Sequence, residues 1–348
     1  MTMTRRKFGG LVAGAGLMTG GLMTPSRAET TTLRMNNWLP PTHSMIKGVF
    51  EPWIAAVEKA TNGQVAIQMT DASLGAPPRQ YDLAIDGIAD ITFGVVGYTP
   101  GRFTLPRIAE LPQVGSKGEA LSVALWQVYE KMFAKVGEFD EVKLLGLFTN
   151  GTGVVMTTQN TGPITSLADY EGRKFRVGGG VVQQINQMLG GVNVAAPAGE
   201  VYEILQQGVA DGTLLPADAY PSFDLSGIIA HATRIPGGFY TSSWFLAMNQ
   251  ASWDGLSEDV QQAILSVSGE HFAQLAGAAQ DAGDVAGLEK MDADGVKTVE
   301  ADESFVSAMT DRLAPIEAEW IAAAEEKGVD GKAALAMFRE ITEKLESA

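Results

Sequence analysis

The apolar positions change period along the chain in a repeating order. Residues 31–36 (TTLRMN) alternate as a short strand does, and PPTHS follows as a loop. Ile46, Val49, Phe50, Trp53 and Val57 recur at helical spacing, with Pro52 as a kink or a first-turn residue. Asn62-Gly63 marks a turn, and Val65, Ile67 and Met69 alternate again. APPRQYDLAIDG reads as a helix opened by proline, and ADITFGVV as a buried strand. Strand, helix, strand, helix, strand is the order of a parallel sheet covered by helices.

The pattern then starts again. Residues 120–136 predict a helix, and 142–147 and 154–157 predict strands interrupted by TNGTG. Residues 174–177 read as a strand ended by Gly178-Gly179-Gly180, 181–189 as a helix, 192–195 as a strand, 200–207 as a helix and 210–214 as a strand. The remainder is expected to be mostly helical. Ser257 caps a helix with Glu258 and Asp259 in its first turn and Val260, Ile264, Val267 and Leu275 on its buried face. Phe305, Met309, Leu313, Ile316 and Trp320, then Leu335, Phe338, Ile341 and Leu345, mark two further core stripes.

One phrase is written twice. YDLAIDGIADIT (81–92) and YEILQQGVADGT (202–213) share Tyr, Gly, Ala, Asp and Thr in register. The repetition predicts the same helix–turn–strand corner in two facing lobes. Ligands bind such sheets at the carboxyl ends of the strands, so the expected site is a cleft between the lobes, closed by hinge motion. The expected architecture is α/β, with two α/β lobes around a ligand cleft. The first lobe takes residues 29–150 plus about 236–280. The second takes 151–235 plus about 281–348, with the bridging and C-terminal helices.

Composition narrows the function. A length of 348 residues suits two domains. The formal charge of −16 speaks against nucleic acid or an anionic membrane surface as partner, though not against one anion held in a cleft. There is no cysteine, and His43, His231 and His271 have no metal-ligand spacing, so neither a metal nor a cofactor is expected. G-x-S-x-G is absent, and Gln183 stands where a dinucleotide fingerprint needs its third glycine. An enzyme is therefore not expected. Residues 1–28 read as a signal peptide: Thr4-Arg5-Arg6-Lys7-Phe8 has the twin-arginine pattern, and Ser26-Arg27-Ala28 suits cleavage near Ala28. No later stretch offers 18 consecutive apolar residues, so a periplasmic protein is expected.

LRMNNWLPPTH, VEKATNGQVAIQM, YDLAIDGIADITFG, YEGRKFRVGGG, GEVYEILQQGVADG and NQASWDGLSEDVQQAI, in this order and spacing, resemble the solute-binding proteins of tripartite ATP-independent periplasmic (TRAP) transporters over essentially the whole mature chain. The resemblance implies a periplasmic-binding-protein-like fold with long bridging helices. It also implies delivery of a small carboxylate to the small and large integral-membrane permease subunits, and an arginine that pairs with that carboxylate. In KFRV this is Arg176. The residue type suits the task, because a guanidinium stays charged and holds a carboxylate with two parallel bonds. The bland alternative is a salt bridge to a nearby Asp or Glu.

Departures from the family shape the expected ligand. Ala198-Gly199 stands where sialic-acid and dicarboxylate binders often place an aromatic before Glu-Val-Tyr. Leu215 takes the place of their hydrogen-bonding Asn, and residues 149–152 lack the second arginine of some members. A monocarboxylate with an apolar or aromatic body is therefore expected. Trp38, Tyr98, Phe239 and Tyr240 are positioned to line the cleft or to pack the lobes. Asn150, Ser243 and Asp218 are polar candidates at strand ends, and His43 is a donor near the mouth. The glycines 178–180 either help hold an anion at a helix start or only turn the chain. A monomer is expected. A sensor-type binding protein, a relative serving an ATP-driven importer and an exported enzyme are the competing functions.

Overall fold

The computed structural model describes residues 30–348. The expected leader, with its twin-arginine stretch and cleavage point, lies outside them. Eleven strands are found among the described residues: β1 (Thr31–Met35), β2 (Val65–Met69), β3 (Ile91–Val95), β4 (Val142–Thr149), β5 (Val154–Thr158), β6 (Lys174–Val177), β7 (Val192–Ala195), β8 (Gly212–Leu215), β9 (Ile229–Arg234), β10 (Ser243–Asn249) and β11 (Lys297–Glu300). They form two sheets, ordered β2-β1-β3-β10-β4 and β7-β6-β8-β5-β9-β11.

The first five positions of the two sheets match in direction. β1 runs parallel to β2 and β3, and β6 runs parallel to β7 and β8. The fourth strand is antiparallel to both neighbours in each case, β10 in the first sheet and β5 in the second. The sheets are thus mixed rather than parallel. The physical reason is a strand exchange. After β4 the chain crosses directly into the second sheet as β5, and after β9 it returns to the first as β10. β3 and β10 are buried along their whole length, as central strands covered on both faces should be. β9 (IAHATR) and β11 (KTVE) were not expected, because small and polar residues hide their alternation.

The repeated phrase folds as the same corner twice. Helix Gln80–Ile85 ends at Gly87 with φ +66°, and helix Val201–Gln206 ends at Gly208 with φ +69°, the left-handed turn that favours glycine. The aspartate that follows explains its own conservation between the copies. Asp90 donates its N–H to the Arg34 carbonyl and accepts the Arg34 N–H on its carboxylate at 2.7 Å. Asp211 makes the same pair of bonds to Lys174, with 2.8 Å to the carboxylate. Each aspartate therefore fixes the register of two parallel neighbours, β3 on β1 in the first sheet and β8 on β6 in the second.

Helices cover the sheets and join them. Pro52 sits in the first turn of helix Glu51–Ala60, where a missing N–H costs nothing, and a wider turn over Ile46–Phe50 precedes it. Phe50 stacks on Phe93 at 4.0 Å and packs edge-on against Phe148 beneath the first sheet. The single helix expected through Leu275 is two. Helix Glu258–Leu265 stops, Gly269 turns the chain with φ +60°, and helix Glu270–Ala293 begins.

That long helix holds both halves. Asp281 accepts the Gly118 and Glu119 N–H groups at 2.6 and 3.0 Å, at the start of helix Gly118–Val128. Three residues on, Asp284 accepts the Asp218 N–H at 2.9 Å, just beyond β8. Burial, and then the neighbouring Asp218 and Asp281 carboxylates, hold the Asp284 carboxyl well above its usual 3.8. A carboxyl raised by folding binds its proton more tightly in the folded state. Stability therefore falls as pH rises from the unfolded value through the folded one. Asp284→Asn keeps an oxygen for the Asp218 N–H and removes this titration. Urea unfolding at about pH 5 and about pH 7.5 should show the variant losing less stability with rising pH than the wild type. An unchanged pH difference would locate the titration elsewhere.

Candidate ligand-binding site

The cleft between the sheets is shut in this structure. The loop after β3 meets the loop after β6 backbone to backbone: a Cβ placed on Gly179 would lie 1.9 Å from the Gly97 carbonyl oxygen. Ala198 donates its N–H to the Tyr98 hydroxyl at 3.0 Å. Ser44 donates its hydroxyl to Asp218 at 2.5 Å. These contacts leave a cavity of only about 30 Å³, room for a water molecule or two, so the site is closed down in this form. Leu39, His43, Asn150, Leu215, Trp244 and Gln280 are among its lining residues. A wider depression of about 680 Å³, lined by Thr158, Arg173, Tyr202 and Asp211, lies where β6 and β8 of the second sheet begin. It is open to solvent and holds no buried charge, so the enclosed cavity is the better candidate.

Arg176 is 1% exposed on β6. Its Nε and Nη2 donate to the Ala196 carbonyl at 3.1 and 2.6 Å. Its Nη1 is buried without a partner. No carboxylate among the described residues lies within 4.0 Å of it, so the salt-bridge alternative is not what the fold provides. A buried cation without a counter-charge is costly. Arg176 pairs in register with Thr213, and Leu215 lies two residues further along β8, so Arg176 and the cavity-lining Leu215 leave the same sheet face. Tyr98 and the guanidinium both border Gly178, where a Cβ would lie 3.6 Å from the Tyr98 ring and 3.9 Å from Arg176 Nη2. Burial pushes the Tyr240 hydroxyl well above its usual pKa, while the nearby Arg176 charge opposes that shift. The neutral phenol is thus retained next to the cation.

The other expected residues divide. Asn150, Leu215 and Asp218 line the cavity. Asn150 spends its Oδ1 on the Ser242 N–H at 2.8 Å. Trp38 stacks on the cavity-lining Trp244 at 5.6 Å and gives its Nε1–H to the Phe93 carbonyl, so it backs the wall rather than forming it. Phe239 packs edge-on against Tyr240 in the core, away from the cavity. Ser243 spends its hydroxyl on the Pro106 carbonyl and its N–H on Glu110. Of the expected residues, Arg176, Trp38, Tyr98, Phe239, Tyr240 and Ser243 are not among those that line the cavity in this shut form. At the helix start that follows glycines 178–180 the place of an anion is taken by the Glu110 carboxyl, which accepts the Val181 N–H at 3.0 Å.

Two lining residues carry more than the sequence showed. His43 is not at the mouth; it is 5% exposed and packs edge-on against Phe223. Burial lowers its pKa against the opposing charge of Asp218. The Met45 N–H donates to its Nδ1, which places the neutral ring's proton on Nε2. Gln280 sits on the long helix just before its two aspartates, in a stretch of Ala and Gly with no chemical signal of its own. Only its helical position, one residue before Asp281, points it inward.

Among the described residues no group of His, Cys, Asp and Glu is placed to hold a metal ion, and no helix is long and apolar enough to cross a membrane. A family model for bacterial extracellular solute-binding protein, family 7, matches residues 35–323. The chain belongs to this family. As a family 7 binding protein it is 34% identical to the outer membrane transporter protein TsaT of Comamonas testosteroni, over 90% of this chain and 92% of that one. Its fold is that of a TRAP periplasmic solute-binding protein from Bordetella bronchiseptica with bound (R)- and (S)-mandelate. The TM-score is 0.88 and the identity 37%, over 90% of this chain and 99% of that one. A TRAP solute-binding protein from Rhodoferax ferrireducens, in complex with copurified benzoate, gives a TM-score of 0.85 at 28% identity, over 91% and 99%. The expected two-lobed α/β architecture and the TRAP resemblance are both borne out. The protein is a TRAP solute-binding component, from a family of binding proteins rather than enzymes.

Proposed function

We propose that this protein captures a small monocarboxylate with an apolar or aromatic body in the periplasm and hands it, unaltered, to the small and large subunits of a TRAP permease. The observation that carries the reading is Arg176, a buried guanidinium whose Nη1 has no protein partner. An acid placed there supplies the missing charge, with Tyr98 and Tyr240 beside it. Its body extends toward the cavity walls formed by Leu39, Leu215 and Trp244, backed by Trp38. Asn150 and Asp218 edge that space, and Phe239 and Ser243 support it from the core. One arginine suits one carboxylate. The mandelate and benzoate held by the two structural relatives have this chemistry.

The same reading divides the mature chain into a lobe of 29–150 plus about 236–280 and a lobe of 151–235 plus about 281–348. It has the leader cleaved near Ala28 and the protein acting as a monomer. The test is thermal unfolding with benzoate-class acids, four-carbon dicarboxylates and hexuronates, each in excess. A ligand at a hundred times its Kd adds about 2.7 kcal/mol, so an aromatic monocarboxylate should give the largest rise in Tm. A larger rise with a dicarboxylate or a hexuronate would refute the assignment.

A further inference from the structure

We infer that Gln280 reads a hydroxyl group on the bound acid, so that the preferred ligands are hydroxylated aromatic monocarboxylates rather than their unsubstituted parents. The inference rests on the monocarboxylate reading above and adds a second polar contact, remote in sequence from Arg176. Gln280 lines the cavity, is 1% exposed, and has neither Nε2 nor Oε1 hydrogen-bonded to protein. Folded proteins rarely bury both ends of an amide unsatisfied. Of the other polar lining groups, the Trp244 Nε1–H is also buried without a partner, while three are engaged. Asn150 Oδ1 accepts the Ser242 N–H, Asp218 accepts the Ser44 hydroxyl, and His43 Nδ1 accepts the Met45 N–H.

The free amide offers a donor group, Nε2, and an acceptor, Oε1, inside an otherwise largely apolar wall. A hydroxyl is complementary to both, because it accepts from Nε2 and donates to Oε1. An unsubstituted ring satisfies neither. His43 keeps its proton on Nε2, and that N–H, with no protein acceptor among the described residues, is a further donor on the same lining. The long helix fixes where the amide stands. Asp281 ties it to the first sheet's helix and Asp284 to the loop beyond β8, so closure of the cleft brings Gln280 to a set distance from the bound acid.

The experiment is calorimetric titration of the mature protein with benzoate, its hydroxylated forms, phenylacetate and mandelate. It is repeated on Gln280→Leu, Gln280→Met and Arg176→Ala. The wild type should bind hydroxylated acids at least about tenfold more tightly than the parents. Both Gln280 variants should bring that ratio toward one. They should also leave the Tm of the empty protein unchanged or raised, because each removes an unsatisfied buried amide. A fall in Tm with an unchanged ratio would make Gln280 a structural residue and overturn the inference. Equal wild-type affinities for parents and hydroxylated acids would also overturn it, and would assign the amide to a bound water. If acids bind through Arg176 without preference for the hydroxyl, only the role of Gln280 fails. If no monocarboxylate binds the wild type, the ligand class fails with it.

Discussion

Arg176→Ala is expected to weaken binding of the acid by about 3 kcal/mol or more, roughly two to three orders of magnitude in Kd. The ligand's carboxylate would then be buried without its counter-charge, which costs more than the net worth of the pair. Arg176→Lys should also lose more than about tenfold, because one ammonium cannot reproduce the planar fork that holds Ala196 on one side and a carboxylate on the other. The empty protein should respond in the opposite sense. Arg176→Leu removes a buried cation with no protein counter-ion, so its Tm without ligand should equal or exceed that of the wild type. Calorimetric titration and thermal unfolding of the same samples separate the two effects. Wild-type affinity in Arg176→Ala would remove Arg176 from the site.

Gly179→Ala is expected to hold the cleft open. The new Cβ would fall 1.9 Å from the Gly97 carbonyl oxygen, a backbone atom that cannot swing aside. Neither glycine has a left-handed φ, so alanine is unstrained in each isolated loop and the conflict exists only on closure. Opening the gap separates Tyr98 from Ala198 and Ser44 from Asp218. Losing two such hydrogen bonds, and the exclusion of water around the acid, should weaken binding by about 2–3 kcal/mol. X-ray scattering should show the wild type contracting with saturating acid while Gly179→Ala keeps its ligand-free dimensions. Contraction of the variant at wild-type affinity would show that this loop contact plays no part in capture.

Much of the fold was legible because its signals are local. The two copies of the helix–glycine–aspartate corner mark equivalent places in two sheets, and Arg176 stands out as a charge in a strand of otherwise apolar neighbours. What escaped depends on distant parts of the chain meeting. The antiparallel fourth strands cannot be read from periodicity, because β5 and β10 carry the same apolar pattern in either direction. Phe239 and Ser243 lie near strand β10 as expected, but Ser243 is committed to Pro106 and Glu110, which no local pattern announces. Gln280 escaped for the converse reason. Its importance lies in what it lacks, a partner at either end of the amide, and an unmet bond leaves no trace in a sequence.

The exchanged strands carry a consequence for how the molecule comes apart. β10 completes the first sheet between β3 and β4 yet is made last of its five, and β5 fills the same slot in the second. A nascent chain halted before residue 243 would own one half with a gap through its middle. The second sheet differs, because β5 to β9 come from one unbroken run of chain and only its edge strand β11 is added later. The protein can bend between its halves, but the first sheet is unfinished until the chain has built the second and returned. Movement is thus permitted at the joint while melting is shared across it.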